Sequence, residues 1–104
     1  MFKSEHWLDH NGKPAGGCSQ ACGITISWQN GPLGRGEDRK EPNGAFVETV
    51  LGMVKDRIEF YNNNGFPCDE NYKAIEKITE AMDVLNERTK RREEAGVEGT
   101  HGKD

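Results

Sequence analysis

The fold is decided by residues 45–95, which read AFVETVLGMVKDRIEFYNNNGFPCDENYKAIEKITEAMDVLNERTKRREEA. In the first part of this stretch, apolar side chains recur at steps of three, four and seven, which places them on one face of a helix: Val47, Val50, Leu51, Val54, Ile58 and Tyr61. A second apolar stripe occupies the later part: Ala74, Ile75, Ile78, Ala81, Met82 and Leu85. The pattern predicts two amphipathic helices.

Signals for helix ends bound both stripes. The first helix has its start signal at residues 43–44 and its stop signal in the Asn- and Gly-rich residues 62–65. Asp69 is a suitable N-cap for the second helix, and Gly96 is a suitable stop after it. Because the connection is short, we expect the two helices to form an antiparallel hairpin.

The residues before the hairpin contain one strand candidate. Ile24, Ile26 and Trp28 alternate with polar neighbours, which is typical of a β-strand. Residues 1–22 contain several glycines and no sustained periodicity. The sequence therefore predicts an α+β fold, in which a short N-terminal β element is followed by a long antiparallel α-helical hairpin.

This organisation corresponds to one domain. We expect a flexible N-terminal arm at residues 1–22 and a single domain at residues 23–104. The domain divides into a strand and loop (23–44), the hairpin (45–95) and a C-terminal tail (96–104). A chain of 104 residues buries a modest share of its surface, so its core is marginal and we expect a homo-oligomer.

The net charge of the chain limits the kinds of molecule that it is expected to bind. The chain has 14 Lys and Arg against 18 Asp and Glu, a net charge of −4. This argues against a dedicated DNA-binding protein, whose domain is usually basic. No stretch is apolar enough to span a membrane, and residues 1–25 lack the core of a signal peptide. We therefore expect a soluble, cytosolic protein that binds neither DNA nor membrane.

Three cysteines do not make a closed disulfide framework, which favours a reducing compartment. A zinc site built on His6, His10, Cys18 and Cys22 is conceivable, but the spacing matches no known zinc motif. We predict no metal and keep a metal-binding regulator as a weaker alternative.

Catalytic motifs are missing from the sequence. It contains no HExxH, no GxSxG, no P-loop and no GxGxxG in a strand-turn-helix context. We therefore predict a protein with no catalytic residues and no cofactor, rather than an enzyme.

Several side chains suit binding instead. Arg88 and Arg92 are four residues apart, so both could grip one phosphate or carboxylate; alternatively, they only complement the helix dipole. Tyr61 could stack on a base or belong to the core. Trp28, followed by the amide of Gln29, is either part of a binding surface or a packed ring before a turn.

Helix geometry constrains how such a site is built. Asn71 and Arg88 are 17 positions apart on one helix, which corresponds to about 25 Å. They cannot line one small pocket in a single subunit. A pocket shared between antiparallel subunits would combine amides, arginines and an aromatic ring, which suits a nucleotide.

Ordered fragments of the sequence resemble a widespread group of small phage proteins. This group carries the hairpin domain shared by anti-CBASS and anti-Thoeris sponge proteins, and the match covers about residues 24–100. The fragments include Trp28-Gln29-Asn30-Gly31-Pro32, Asn43-Gly44, Asp56-Arg57-Ile58, Phe66-Pro67-Cys68-Asp69-Glu70-Asn71, Leu85-Asn86-Glu87-Arg88-Thr89 and Gly96-Val97-Glu98-Gly99-Thr100.

The resemblance implies a phage protein that evades bacterial immunity without enzymatic activity. Such a protein binds and sequesters a cyclic nucleotide second messenger in the cytoplasm of the infected bacterial host and does not cleave it. The candidate ligands are cyclic di- or trinucleotides and cyclic ADP-ribose isomers. The resemblance also implies an oligomer, and we expect a dimer or a hexamer.

The resemblance also implies where the ligand binds. In the anti-Thoeris branch the pocket lies between subunits, and Tyr61, Asn71, Arg88 and Arg92 fall at its matching positions. Trp28, Gln29, Asn43 and Thr89, which lie in matched fragments, complete the predicted ligand-binding set. The alternative function is a protein-interaction module whose hairpin binds a host or phage protein.

Overall fold

The computed structural model describes residues 1–102. It contains three strands followed by two long helices: β1 (Lys3–Leu8), β2 (Pro14–Ala21), β3 (Ile24–Trp28), α1 (Val47–Asn63) and α2 (Asp69–Glu94). A short 3₁₀ turn at Gly36–Asp38 lies in the loop between β3 and α1. The last two residues of the predicted tail, 96–104, lie outside the described residues.

The chain divides into two compact units. One unit, here called the β unit, contains Met1–Phe46 together with the residues from Arg92 onward. The other, here called the helical unit, is Val47–Arg91. The sheet, the loop after it and the C-terminal tail therefore belong to one unit, and most of the two helices belongs to the other.

The three strands form one antiparallel sheet in the order β1-β2-β3. Ser19 lies at its centre, opposite Ser4 on one side and opposite Ile26 on the other. The hydroxyl oxygens of Ser4 and Ser19 are 2.7 Å apart, and the indole N–H of Trp28 donates to Ser19 Oγ at 2.8 Å. One row of hydrogen bonds thus links side chains of all three strands.

Tight turns connect the strands. In the β1–β2 turn, Asp9 Oδ1 accepts the backbone N–H groups of Asn11 (2.8 Å) and Lys13 (3.0 Å). The hydrogen bond from the Lys13 backbone is the main reason that the pKa of the Asp9 carboxyl lies below its ordinary value. The β2–β3 turn consists of Cys22 and Gly23, and Gly23 has a positive φ of 81°.

The prediction of a single short β element is wrong, because the sheet has three strands. Residues 1–22, which were expected to form a flexible arm, supply β1 and β2. β1 has no buried face, because all six of its residues are exposed. β2 consists mostly of small residues. Neither strand therefore has the alternation of apolar and polar residues that would predict it. Gly17 has a φ of 148°, and a Cβ there would collide with the Glu5 carbonyl oxygen. The glycine therefore permits close approach of two strands. The class α+β fits the observed elements.

The two helices run antiparallel. At one end, Asn71 Nδ2 donates to Asn62 Oδ1 at 3.1 Å. Ten residues earlier on α1, Gly52 faces Met82 of α2, whose Cε would lie 3.5 Å from a Cβ on the glycine. The connection begins with a Schellman cap: Gly65 has a φ of 94°, and the N–H of the next residue donates to the carbonyl of Tyr61.

The apolar stripes of the helices are only partly covered. Within residues 1–102, no hydrophobic side chain is buried. On the α1 stripe, Val47 is 50% exposed and Val54 is 45% exposed, and outside the stripes Met53 is 66% exposed and Val84 is 61% exposed. No helix in the described part of the chain is long and apolar enough to cross a membrane. The helical unit therefore presents apolar surface to water.

Candidate functional site

An aromatic and amide cluster lies where the two helices meet. We call it the hairpin-end cluster and define it as Arg57, Phe60, Tyr61, Asn62 and Asn71. Positions 57, 60 and 61 share one face of α1 because they are three and four residues apart. The guanidinium carbon of Arg57 lies 4.7 Å from the centroid of the Phe60 ring and 4.9 Å from that of Tyr61. One cation thus contacts both rings.

The two rings of this cluster are accessible. Phe60 is 47% exposed and Tyr61 is 41% exposed. Their centroids are 5.9 Å apart and their planes meet at 63°, which is an edge-to-face contact. In one copy of the chain Tyr61 is therefore a surface residue held in place by its neighbours, and a flat ligand can reach its ring.

Asn71 is tied into the turn between the helices. Its amide nitrogen donates to Asn62 Oδ1 at 3.1 Å and to the carbonyl oxygen of Phe66 at 3.2 Å. A carboxamide has two N–H donors and one oxygen acceptor. Both donors are engaged, which leaves the carboxamide oxygen as the group that can accept a hydrogen bond from a ligand.

The predicted residues farther along α2 differ from each other. Arg88 is exposed, and within residues 1–102 its guanidinium has no hydrogen-bond or ion-pair partner. Thr89 donates its hydroxyl hydrogen to the carbonyl oxygen of Leu85 at 3.3 Å, one turn earlier in the same helix. Arg88 is therefore available to an anion, whereas Thr89 is bonded to its own backbone.

Arg92 holds the C-terminal tail. One of its nitrogens, Nη2, donates to the carbonyl oxygens of Val97 (3.2 Å), Thr100 (3.0 Å) and Gly102 (3.0 Å). The chain turns back at Gly96, which has a φ of 76°, and the Val97 N–H closes the helix on the Arg92 carbonyl at 2.9 Å. The guanidinium of Arg92 is therefore bound to backbone carbonyl groups of the tail of its own chain.

The tail also binds the loop that follows β3. The N–H of Gly34 donates to the carbonyl of Gly99 at 2.7 Å. Arg35 donates to the Glu98 carbonyl at 2.9 Å, and Arg39 Nη1 lies 2.8 Å from Glu98 Oε2. The hydrogen bond from Arg39 is the main reason that the pKa of Glu98 is lowered, and it raises the pKa of Arg39. We call Arg35, Arg39, Arg92 and Glu98 the tail clasp.

Two of the predicted amide side chains close the base of the same loop. Gln29 Oε1 accepts the N–H of Asn43 at 2.9 Å. Asn43 Oδ1 in turn accepts the N–H of Asn30 at 2.8 Å, and its Nδ2 donates to the Asn30 carbonyl at 3.0 Å. Trp28 is half-buried beside them on β3. The amides thus fix where the loop begins and ends.

The structure therefore distributes the predicted site residues over separate places. Tyr61 and Asn71 both lie at the end of the hairpin, where Asn71 bonds to Asn62, the residue after Tyr61. Trp28, Gln29 and Asn43 lie together in the β unit, where Arg92 holds the tail. Arg88 and Thr89 lie in the later half of α2 within the helical unit.

Sequence reasoning missed two groups of residues. Arg57 was not chosen as a site residue, although its spacing to Phe60 and Tyr61 predicts a contact on one helix face. The ion pair of Arg39 with Glu98 joins residues 59 positions apart, and nothing in the spacing indicates such a contact.

Other candidate sites receive no support from the geometry. Within residues 1–102, no three His, Cys, Asp or Glu side chains are grouped so that they could hold a metal ion. An open cavity of about 460 Å³ lies beside the start of β1, and it is lined by residues outside the predicted set: Met1, Phe2, Lys3, Gln20 and Ala21.

Comparison with known proteins decides the family. No family profile matches the chain. Over 79 residues, or 76% of the chain, it is 42% identical to a protein of Bacillus phage SBSphiJ7 that is named Thoeris anti-defense 1. The chain belongs to a phage anti-Thoeris family. This finding confirms the family resemblance drawn from the sequence fragments. The matched part spans about half (53%) of the length of this anti-Thoeris relative.

Proposed function

We propose that this protein is a phage anti-defence protein that binds a cyclic nucleotide immune messenger and sequesters it without cleaving it. The messenger is a cyclic di- or trinucleotide or a cyclic ADP-ribose isomer, and binding takes place in the cytoplasm of the infected bacterial host. The observation that carries the anti-defence role is the 42% identity to Thoeris anti-defense 1. The ligand class is supported by the chemistry of the helical unit.

The hairpin-end cluster suits the base of a nucleotide. Every base has a π-face, and stacking on an exposed aromatic ring holds it without regard to sequence. Tyr61 offers such a ring, and the guanidinium of Arg57 beside it adds a positive charge. We propose that the carboxamide oxygen of Asn71, whose amide nitrogen is already bonded to Asn62 and Phe66, accepts a hydrogen bond from an exocyclic amine of the base.

Arg88 suits the phosphate. Its planar fork of N–H donors matches two phosphate oxygens, and among residues 1–102 the exposed side chain has no partner to give up. On one straight helix Arg88 is about 25 Å from Asn71, which exceeds the span of a small cyclic nucleotide. We therefore propose that the ligand lies between two copies, with the hairpin-end cluster of one copy and Arg88 of another.

A homo-oligomer, either a dimer or a hexamer, provides this shared pocket. Apolar side chains of the helices are exposed in one copy: Met53, Val54 and Val84 by 66%, 45% and 61%. Covering such side chains with a second copy removes apolar surface from water, which is favourable. A ligand enclosed between copies also dissociates slowly, as a stoichiometric inhibitor requires.

A second function fits the same exposed helix surface. The hairpin could bind a host or phage protein through Met53, Val54 and Val84, with no role for a nucleotide. The two functions differ in one measurable respect, because a protein-interaction module produces no heat with any cyclic nucleotide.

Isothermal titration calorimetry of the full chain with a panel of cyclic di- and trinucleotides and cyclic ADP-ribose isomers tests the proposal. We expect saturable binding of at least one ligand. Tyr61→Ala should weaken that binding by about fivefold or more because stacking is lost, whereas Tyr61→Phe, the matched control, should retain it. Absence of heat with the whole panel, or equal affinity of all three proteins, contradicts the proposed site.

A further inference from the structure

Strand β1 is an open edge of the sheet. Its residues pair with β2 on one side, and within residues 1–102 no segment pairs with its other side. All six residues of β1 are exposed. By contrast, the outer side of β3 is partly occupied, since Trp28 forms a parallel bridge with Ala45. An open edge presents unpaired N–H and C=O groups that can extend a sheet.

The charges on this edge do not have the pattern that prevents pairing. Natural edge strands are commonly protected by charges that repel a second copy. In β1, Lys3 and Glu5 lie on the same face, two residues apart, and carry opposite signs. Such an alternation is self-complementary when the strand meets a copy of itself running in the opposite direction.

We propose that β1 pairs with β1 of a second copy in an antiparallel register centred on Ser4, which joins two sheets into one of six strands. Residues that face each other across an antiparallel pair lie on the same face of the sheet. The two-fold axis that relates the two β1 strands therefore passes through a position where one residue lies opposite its own copy. A centre on Lys3 sets two lysines opposite each other, and a centre on Glu5 sets two glutamates opposite each other. A centre on Ser4, which lies between Lys3 and Glu5, sets each lysine opposite the glutamate of the other copy. The contact then contains two such opposite-charge pairs.

The same register covers apolar surface at the ends of the contact. Phe2, which is 68% exposed, comes to lie opposite the partner's His6. The irregularity in the pairing of β1 with β2 lies between His6 and Leu8, beyond the Lys3–Glu5 segment at the centre of the contact. The central pairs are therefore formed by regular strand. This contact involves no residue of the proposed ligand site, so it does not depend on the proposed function.

Charge reversal in the full chain tests this pairing. The variants are Lys3→Glu, Glu5→Lys and the double variant Lys3→Glu with Glu5→Lys. Each single reversal sets like charges opposite each other at both central pairs, and the double variant restores attraction with the signs exchanged. Matched controls are Lys40→Glu and Glu41→Lys, which change the net charge equally on exposed residues outside the sheet.

The readouts are sedimentation velocity and hydrogen exchange of the β1 amides over a hundredfold range of protein concentration. We expect protection of β1 to rise with concentration in the wild type, both controls and the double variant. We expect each single reversal to weaken this association at least tenfold. The proposal is overturned if β1 protection does not depend on concentration, if the single reversals behave as the wild type, or if the double variant fails to recover.

Discussion

The two units of this chain use their arginines in opposite ways. In the β unit, Arg35, Arg39 and Arg92 donate to carbonyl or carboxylate oxygens of the C-terminal tail. In the helical unit, Arg57 lies over two exposed rings, and within residues 1–102 the exposed Arg88 has no partner. Arginine therefore maintains the fold in the β unit, whereas Arg57 and Arg88 of the helical unit are exposed.

The difference shows that the engagement of hydrogen-bond donors, and not the sequence spacing, distinguishes Arg92 from Arg88. Arg88 and Arg92 are one helical turn apart and look equivalent in the sequence. Three backbone carbonyls already occupy Nη2 of Arg92, and a phosphate would have to compete with them. The comparison therefore predicts that substitutions of these two residues have different consequences.

Substitution of Arg88 should have the largest effect. We expect Arg88→Ala to weaken binding of the cyclic nucleotide by about ten- to a hundredfold, because one charge-assisted contact to phosphate is lost. The thermal midpoint should not change, since the side chain has no partner in the described part of the chain. Calorimetry and thermal unfolding measure the two effects. Lys90→Ala, on a neighbouring exposed residue, is the control, and equal affinity of Arg88→Ala and the wild type would remove Arg88 from the site.

Arg92→Ala should act on the fold instead. Three carbonyls of the tail lose their donor, so the free energy of unfolding should fall by about 1–3 kcal/mol. Hydrogen exchange of the tail and of the Gly34 amide should become faster, and Arg92→Lys should give a smaller change. Urea unfolding measures the free energy of unfolding, and mass spectrometry measures the hydrogen exchange. A tail that stays protected in Arg92→Ala would show that the tail clasp does not depend on this residue.

A smaller effect is expected for Arg57. Arg57→Ala removes the cation from the rings of Phe60 and Tyr61, and a contact of this kind contributes about 0.5–1 kcal/mol at an exposed site. Ligand affinity should therefore fall about two- to fivefold, and Arg57→Lys should lie between the two. The tyrosine fluorescence of α1 should change in parallel. Stronger binding by Arg57→Ala would mean that Arg57 blocks the ring.

Acidification should have the smallest effect, and in the tail it should act through Glu98. The folded protein lowers the pKa of Glu98 below its ordinary value of 4.5. The contribution of its ion pair to stability is therefore complete above about pH 4.5 and is lost as the pH falls through the lowered pKa. The chemical shift of the Gly34 amide should follow this titration, and Glu98→Gln should abolish the dependence. A Gly34 signal that does not change between pH 7 and pH 3 would contradict the coupling.

The helices could be predicted from the sequence, and two of the strands could not. The stripe from Val47 to Tyr61 has helical spacing and lies on α1, whose Gly52 faces Met82 of α2. β1 has no such signal, since all six of its residues are exposed and none is selected for burial. In β2, Gly16 and Gly17 look like flexible positions, but Gly17 is required where the Glu5 backbone passes close to it.

The sequence indicated the candidate site in part. Tyr61 was identified as a possible stacking residue from the end of its apolar stripe, and its exposed ring is compatible with that role. Helical spacing alone could not show that Arg92 turns back to the tail, because its partners are carbonyl groups of Val97, Thr100 and Gly102. Every residue has a backbone carbonyl, so a contact to carbonyl groups cannot be recognised from the order of side chains in the sequence.

The central claim is that the protein retains an immune messenger unaltered. The most direct test is to incubate the full chain with a lysate in which the bacterial defence has been activated, recover the protein, release small molecules by heating and identify them by mass spectrometry. We predict that an intact cyclic nucleotide is recovered with the wild type and is strongly reduced with Arg88→Ala. Recovery of a cleaved nucleotide, or of no nucleotide, would contradict the account.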